Sequence, residues 1–500
     1  MSHDFNDAAP ETPRSPLHRL LRLAVDVRRG EIAAMFWSSL YYFLLMASYY
    51  PLRAVRDEIG ARDGAEGLSE LFLATFIGML IAVPIFSWLV SRYQRRVFLP
   101  IVYGFFSLNI LGFYFWFRAG GDAWRIDGVD RLFDWVGVAW RTPGAALYFV
   151  WVSIFNLFVV SVFWGFMADL WRNDQGKRLF GFVAFGASAG AIVGAAIPSF
   201  MAEYIGSTQL LLVSAVLLLG AIVCVGQLSR LSRMAEAGGP VDLQAPGEHQ
   251  EGEIRGKWWD AFVAVATSPY LIGIACYVLF YTATSTLLYF IQAEVVDAAF
   301  SDRDMRTAVF GRISLAINIL SLVVQGVLTG RLMTWLGVSF TLVVLPIVTC
   351  IGFVVLWLVP TMAGADTSWS LLGWSAAPVL WVFVPFQVIR SASNYALAKP
   401  SREVLFTVVS RSEKYKAKVF IDTAVYRGGD AATALALDPL QSAAGLVALT
   451  LAGLPLAIIW MVLAIVLGIA QKRRAAALPA APKRGFEPSV ATTPAPATGA

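Results

Sequence analysis

Apolar runs of about 20 residues recur along this chain, broken by short polar stretches. A helix of that length crosses a hydrocarbon core of about 30 Å and satisfies its own backbone hydrogen bonds there, which lipid-exposed loops and open strands cannot do. The pattern predicts twelve such spans. The first begins near Ile32 and runs through WSSLYYFLLMASYYPLRAVRDEIG, followed by spans near 70–90, 97–117, 145–169, 179–204 and 207–228. After a polar stretch come spans near 268–292, 307–330, 336–360, 376–397, 416–437 and 445–470. The expected fold class is an all-α polytopic membrane protein with twelve transmembrane helices in two six-helix pseudo-repeats.

The polar breaks divide the chain further. Residues 1–31 carry arginines but no apolar core of the kind a cleavable signal needs, and are expected to be a cytoplasmic N-terminal segment. Residues 32–228 form the first six-helix half, 229–260 a cytoplasmic linker, 261–470 the second half, and 471–500 a disordered tail rich in Ala, Pro and Thr. Composition agrees: at 58% hydrophobic, 15% charged and a mean hydropathy of +0.65, 500 residues hold more apolar surface than one soluble core could hide. A net charge of +5 would suit nucleic acid, but the basic residues lie in short loops. With both termini in the cytoplasm, most of them fall on the inner side, as positive-inside topology requires. The expected setting is the lipid bilayer of a bacterial inner membrane, with no nucleic-acid partner.

An internal repeat links the halves. DQGKRLFGFVAFGASAGA from Asp174 aligns without gaps with EKYKAKVFIDTAVYRGGD from Glu413, and each leads from the fourth span of its half into the fifth. Transporters of this size are commonly built from repeats, with substrate held at their interface. The first copy carries Gly186, Gly190 and Gly194, a G-x-x-x-G-x-x-x-G row that lets another helix approach closely. Where this copy has Val183, Ser188 and Ala191, the second has Asp422, Arg427 and Asp430. An ionised group at membrane depth costs roughly 2.5 to 3.5 kcal/mol on insertion scales, so it is paired or lines a watered cavity. Asp422, Tyr426 and Asp430 recur at i, i+4 and i+8, close to one helical face, with Arg427 three residues before Asp430. Two readings stand: an internal ion pair that holds the helix in its bundle, or a substrate or ion-coupling site.

Other polar positions within spans point to an anion. Arg53 and Arg56 lie three apart near the outer end of the first span, and forked guanidinium donors match phosphate or carboxylate oxygens. Asp57 follows Arg53 by four residues, so a helix-end salt bridge is the structural alternative. Arg312, Arg390, Asn394 and Asn156 add donors without adding acids, although a lone Asn is more often interhelical glue. With Arg427, these form the expected substrate-binding set.

Absent chemistry narrows the choice. There is no G-x-x-x-x-G-K-[ST] loop to bind and hydrolyse ATP. His3, His18 and His249 all lie outside the spans, which excludes a histidine proton relay and a histidine-rich metal site. Cys224, Cys276 and Cys350 lack metal-ligand spacing. No metal, cofactor or enzymatic activity is expected, and a coupling proton would be left to carboxylates.

Twelve spans in two halves, a charged central loop and the basic turn SWLVSRYQRR between spans two and three resemble the major facilitator superfamily. A closer resemblance is to the non-mitochondrial ATP:ADP antiporter family of plastids and bacteria. Its L-R-x-x-K-D motif ending the first span is similar to LRAVRD from Leu52, and its acidic residue before a K-R-F/L segment to DQGKRLF from Asp174. Its K-x-K-x-x-x-D-x-x-x-x-R-x-G-K pattern is similar to KAKVFIDTAVYRGGD from Lys416, except that Asp430 stands where the exchangers have a lysine. The resemblance implies a nucleotide site and adds Asp174 and Lys416 to Asp57, Asp422 and Asp430 as coupling or gating candidates. The combined expectation is a secondary transporter working by alternating access on an anionic solute such as a nucleotide or organic phosphate. Proton-coupled transport of a neutral or cationic small molecule is the alternative, and a non-transporting membrane sensor the third reading.

Overall fold

A computed structural model describes residues 28–62, 64–92, 95–121, 143–237, 243, 260–335, 337–363, 368–371, 374–409, 417–418 and 420–477. Among the described residues, ten helices are long and apolar enough to cross a membrane, which makes this an integral membrane protein. The first half consists of α1 (Ile32–Arg62), α2 (Gly64–Arg92), α3 (Arg95–Arg118), α4 (Pro143–Leu170), α5 (Asn173–Ile205) and α6 (Leu210–Glu236). Its core is aromatic: Tyr42 stacks on Phe163 with ring centroids 4.0 Å apart, and the Tyr41 and Tyr103 hydroxyls meet beside them. Apolar side chains such as Leu108, Phe200 and Val216 point outward, as lipid-facing residues do.

The second half is less regular. A short α7 (Asp260–Thr267) precedes α8 (Pro269–Ala299) and α9 (Arg303–Val324). Ser268 and Asp302 cap the latter two, accepting from the backbone N–H groups of Leu271 and Met305. A π turn at Gln325–Thr329 joins α9 to α10 (Gly330–Trp335), which is followed by α11 (Gly337–Ala363). A hairpin of β1 (Trp369–Leu371) and β2 (Trp374–Ala376), with Trp369 opposite Ala376, is a small departure from the all-α expectation. After it, α12 (Pro378–Ser393) passes through a π turn at Asn394–Ala398 into α13 (Lys399–Leu405). A third π turn, Ile421–Val425, opens α14 (Tyr426–Ala477).

A π turn loosens the local backbone hydrogen bonding, and two of the three compensate each other. Gln325 Nε2 donates to the Tyr395 carbonyl (3.1 Å) and Thr329 Oγ1 to the Ala396 carbonyl (2.9 Å), so side chains of one π turn satisfy backbone groups of the other.

The expected break between the last two spans is absent as a loop, because α14 is helical over all 52 residues. It nevertheless doubles back. The Tyr281 ring lies 6.0 Å from Tyr426 and 5.8 Å from Trp460, residues that a straight helix would hold about 50 Å apart. Two antiparallel arms therefore pack on α8, with Pro439 between them.

The repeat is visible in packing. Cβ atoms added at Gly186, Gly190 and Gly194 of α5 would run into the α1 backbone at Ser39, Phe43 and Ala47. Gly429 of α14, the repeat counterpart of Gly190, meets Thr282 and Leu279 of α8 in the same manner. Across the halves, α9 packs on α5 at Gly311, and ion pairs tie the C-terminal end of α1 to the start of α9. Glu58 accepts from Arg306 Nη2 at 2.9 Å and lies 3.4 Å from Arg303 Nε. The backbone N–H of Ser207 donates to Asp304 Oδ1 at 2.7 Å. The two halves are thus latched at this end.

Candidate functional site

A cavity of about 260 Å³ lies between the halves, walled by α1, α2 and α4 on one side and by α8, α12 with its π turn, and α14 on the other. Each wall contributes a polar stripe at helical spacing. On α1 it is Tyr49, Arg53 and Arg56; on α8, Tyr281, Ser285 and Tyr289; on α12, Gln387, Arg390, Ser391 and Asn394. A smaller pocket of about 60 Å³ adjoins it, sharing Arg53, Gln387 and Tyr395 and adding Asp57 and Asn318.

The α1 cations are tied to one acid. Arg56 donates from Nε (3.1 Å) and Nη2 (2.7 Å) to Asp57 Oδ1, and Arg53 Nε lies 3.4 Å from Asp57 Oδ2. Tyr289 of the opposite half also donates to Asp57 Oδ1 at 2.9 Å. Arg56 therefore stays aimed at the cavity, where Nη1 reaches Ser153 Oγ at 3.4 Å. On α14, Arg427 Nη1 stands 3.5 Å from Asp430 Oδ2, whose other oxygen accepts from Thr286 Oγ1 at 3.0 Å.

Arg390 is different. Only 3% exposed, it donates from Nε to Thr349 (3.2 Å) and from Nη2 to Ser285 (2.8 Å) and Thr284 (3.3 Å), and it lies over the Tyr281 ring. Its partners are all hydroxyls and a ring, and no carboxylate among the described residues neutralises it. A desolvated guanidinium of this kind is costly unless an anion joins it. Beside it, Asn394 Nδ2 donates to the Tyr281 hydroxyl at 2.8 Å.

The structure thus brings Arg53, Arg56, Asn156, Arg390, Asn394, Arg427 and Asp430 to one cavity, with Asp57 at its edge. It does not bring the others. Arg312 is held 2.5 Å from Glu203 of α5, away from the cavity. Asp422 pairs with Arg402 of α13 at 3.1 Å. Asp174 lies in the first turn of α5 with its side chain outside the described ones, and Lys416 lies outside the described residues. The stripe on α12 runs at i, i+3, i+4 and i+7 from Gln387 through Arg390 and Ser391 to Asn394, and in a sequence Gln387 and Ser391 look like ordinary interhelical hydrogen-bonding residues. The pairing of Glu58 with Arg303 and Arg306 joins opposite halves and leaves no local pattern in either helix.

Known proteins give the arrangement a context. The family model described as TLC ATP/ADP transporter matches residues 12–473. No curated protein matches the sequence. Among solved structures, the chain is similar to a D-xylose-proton symporter at a TM-score of 0.56 and 14% identity, covering 88% of this chain and 97% of that one. It is similar to the nucleoside transporter NupG at 0.57 and 10% identity, over 88% and 98% of the two chains. It is also similar to a bacterial homologue of the iron transporter ferroportin at 0.55 and 12% identity, again over 88% and 98%. At such identities the likeness bears on the fold alone, which is that of major facilitator transporters.

Proposed function

The chain belongs to the TLC ATP/ADP transporter family and is a secondary transporter; from that premise we propose that it carries a phosphate-bearing anion of the nucleotide type by alternating access and has no enzymatic activity of its own. The observation that carries the proposal is Arg390, a buried cation whose protein partners leave its charge uncompensated. Arg53, Arg56 and Arg427 stand around the same space and add charge, while Asn156 and Asn394 add neutral donors. Tyr49, Phe72, Phe76 and Tyr426 supply flat apolar faces for a ring.

Alternating access needs the cavity closed on one side at a time. The Glu58 cluster and the Ser207–Asp304 bond close the end where α1 finishes, so substrate enters this state from the opposite end. With both termini in the cytoplasm of a bacterial inner membrane, the latch is periplasmic and the state inward-facing. Twelve spans are supported by the ten apolar helices, which include the second arm of α14 from Val447, together with the first arm of α14 and the α12–α13 segment. Among the described residues, Asp57 and Asp430 are the carboxylates at the cavity and its edge, and they are the candidates for a coupling proton.

Uptake by proteoliposomes is the test. The reconstituted chain is expected to exchange or accumulate nucleotides or organic phosphates. Replacing Arg390 with Gln should cut the rate about thirtyfold or more, the scale of removing one partner of a buried charge-assisted contact. Uptake of a neutral or cationic solute instead, unaffected by this change, would overturn the reading.

A further inference from the structure

The charge of the cavity can be counted, and the count constrains its ligand. Among the described residues, four guanidinium groups line the cavity, those of Arg53, Arg56, Arg390 and Arg427, and they face Asp430 within it and Asp57 in the pocket beside it, which leaves a net charge of +2. Lys399 stacks on the Tyr395 ring at 4.3 Å and does not itself line the space. We infer that the cavity is matched to a dianion of the phosphate-monoester type, a nucleoside monophosphate rather than a di- or triphosphate, and that Asp430 sets this preference by neutralising Arg427. The inference rests on the anion reading of the same cavity.

Three observations converge on it. First, a monoester carries about −1.5 to −2 at neutral pH, close to the charge the cavity lacks. Each further phosphate would add negative charge that the cations of the cavity do not balance, at a depth where the protein screens less than bulk water. Second, the volume of about 260 Å³ falls just below the roughly 300–1,000 Å³ of pockets for drug-sized ligands, so a nucleoside monophosphate already fills the space and each added phosphate must extend beyond it. Third, Gln387 Oε1 is buried without a hydrogen bond, while its Nε2 donates to Gln292 Oε1 at 3.1 Å. That unsatisfied acceptor asks for a donor that a phosphate group lacks and that a ribose hydroxyl or base amine has.

Asp430 is the residue that tunes the balance. Its bond to Thr286 orients the carboxylate, and its second oxygen faces Arg427 from three residues along the helix. Replacement by Asn keeps shape and hydrogen bonding but frees Arg427, raising the net charge to +3.

The experiment measures binding of AMP, ADP and ATP to the purified full-length chain in nanodiscs. The three probes share one nucleoside, so charge and chain length are the variables. The wild type is expected to bind AMP about tenfold or more tightly than ATP. Asp430→Asn should shift the ATP-to-AMP preference by roughly tenfold toward ATP, and Asp430→Glu should keep the wild-type order. A merely structural role for Asp430 would weaken all three ligands together and leave their order intact, which overturns the inference. So would a wild type that prefers ATP, although the anion reading would then stand. Failure of the wild type to bind any of the three would remove the anion reading and this inference with it.

Discussion

Gly190 and Gly429 occupy the same position in the repeat, and each brings its helix against the first membrane-crossing helix of its half. Gly190 lies on the α1 backbone at Phe43, whereas Gly429 meets α8 through the Thr282 hydroxyl and a Leu279 methyl. Around them the two helices diverge. In α5 the neighbours are Val183, fully buried, and Ala191, and the helix is regular from Asn173 to Ile205. In the second half a π turn precedes Tyr426, and the matching positions carry Asp422 and Asp430. One pair of helices is fused backbone to backbone, and its seam holds small polar groups such as Ser39, whose Oγ donates to the Phe182 carbonyl, but no charge. The other stays apart by the length of side chains, and its charged face is free to wall a cavity. The asymmetry suggests that α1 and α5 form a rigid pair against which the second half rearranges.

The largest effect expected from breaking this contrast comes from transplanting the charge. Val183→Asp puts a carboxylate into a fully buried apolar site at membrane depth. The insertion penalty of roughly 2.5 to 3.5 kcal/mol is the main cost, since lipid offers valine an environment as apolar as the protein interior. Loss of folded protein, read as monodisperse yield and thermal unfolding in detergent, is the expected outcome. A variant as stable as the wild type would mean that the first copy has a watered face after all. A smaller loss is expected from Gly190→Ala. Its new methyl group would strike the Phe43 carbonyl, which belongs to the helix backbone and cannot rotate away. Overpacking typically costs about 1 to 3 kcal/mol, and a backbone neighbour puts this case at the upper end.

The same comparison shows what the residues alone made legible. Apolar runs located the spans because lipid demands length and hydrophobicity from every segment that crosses it. Charge inside those runs pointed toward the cavity because such groups have few places to go. Rotation about a helix axis was harder to read. Asp422, Tyr426 and Asp430 fall at a spacing that shares one face of a regular α-helix, but the π turn Ile421–Val425 changes the rotation between the first and the other two. Asp422 therefore turns to Arg402, while Tyr426 and Asp430 line the cavity. Arg312 failed for a related reason. Its run matches those of Arg53 and Arg390 in polarity, and only the packing of α9 on α5 determines that it faces Glu203. Contacts between halves, such as Glu58 with Arg303 and Arg306, leave no local signature in either helix.

The smallest effect is the sharpest check on the contrast, because it asks whether Gly429 is needed for the reason Gly190 is. In Gly429→Ala the added Cβ would lie 2.5 Å from Thr282 Oγ1 and 3.0 Å from Leu279 Cδ1. Both are ends of side chains. The hydroxyl is held only by its bond to the Leu279 carbonyl, 2.8 Å away, and a change of rotamer moves it at a cost of about one hydrogen bond, 0.5 to 1.5 kcal/mol. Alanine's better helix propensity, about 1 kcal/mol over glycine, offsets much of that. Net stability should therefore change by less than about 1 kcal/mol, well short of the loss at Gly190. The measurement is a pair of thermal unfolding curves in the same detergent. Equal losses at the two positions would mean that α8 and α14 are as tightly fused as α1 and α5. The cavity would then have to open by movement elsewhere, at α2 or α12.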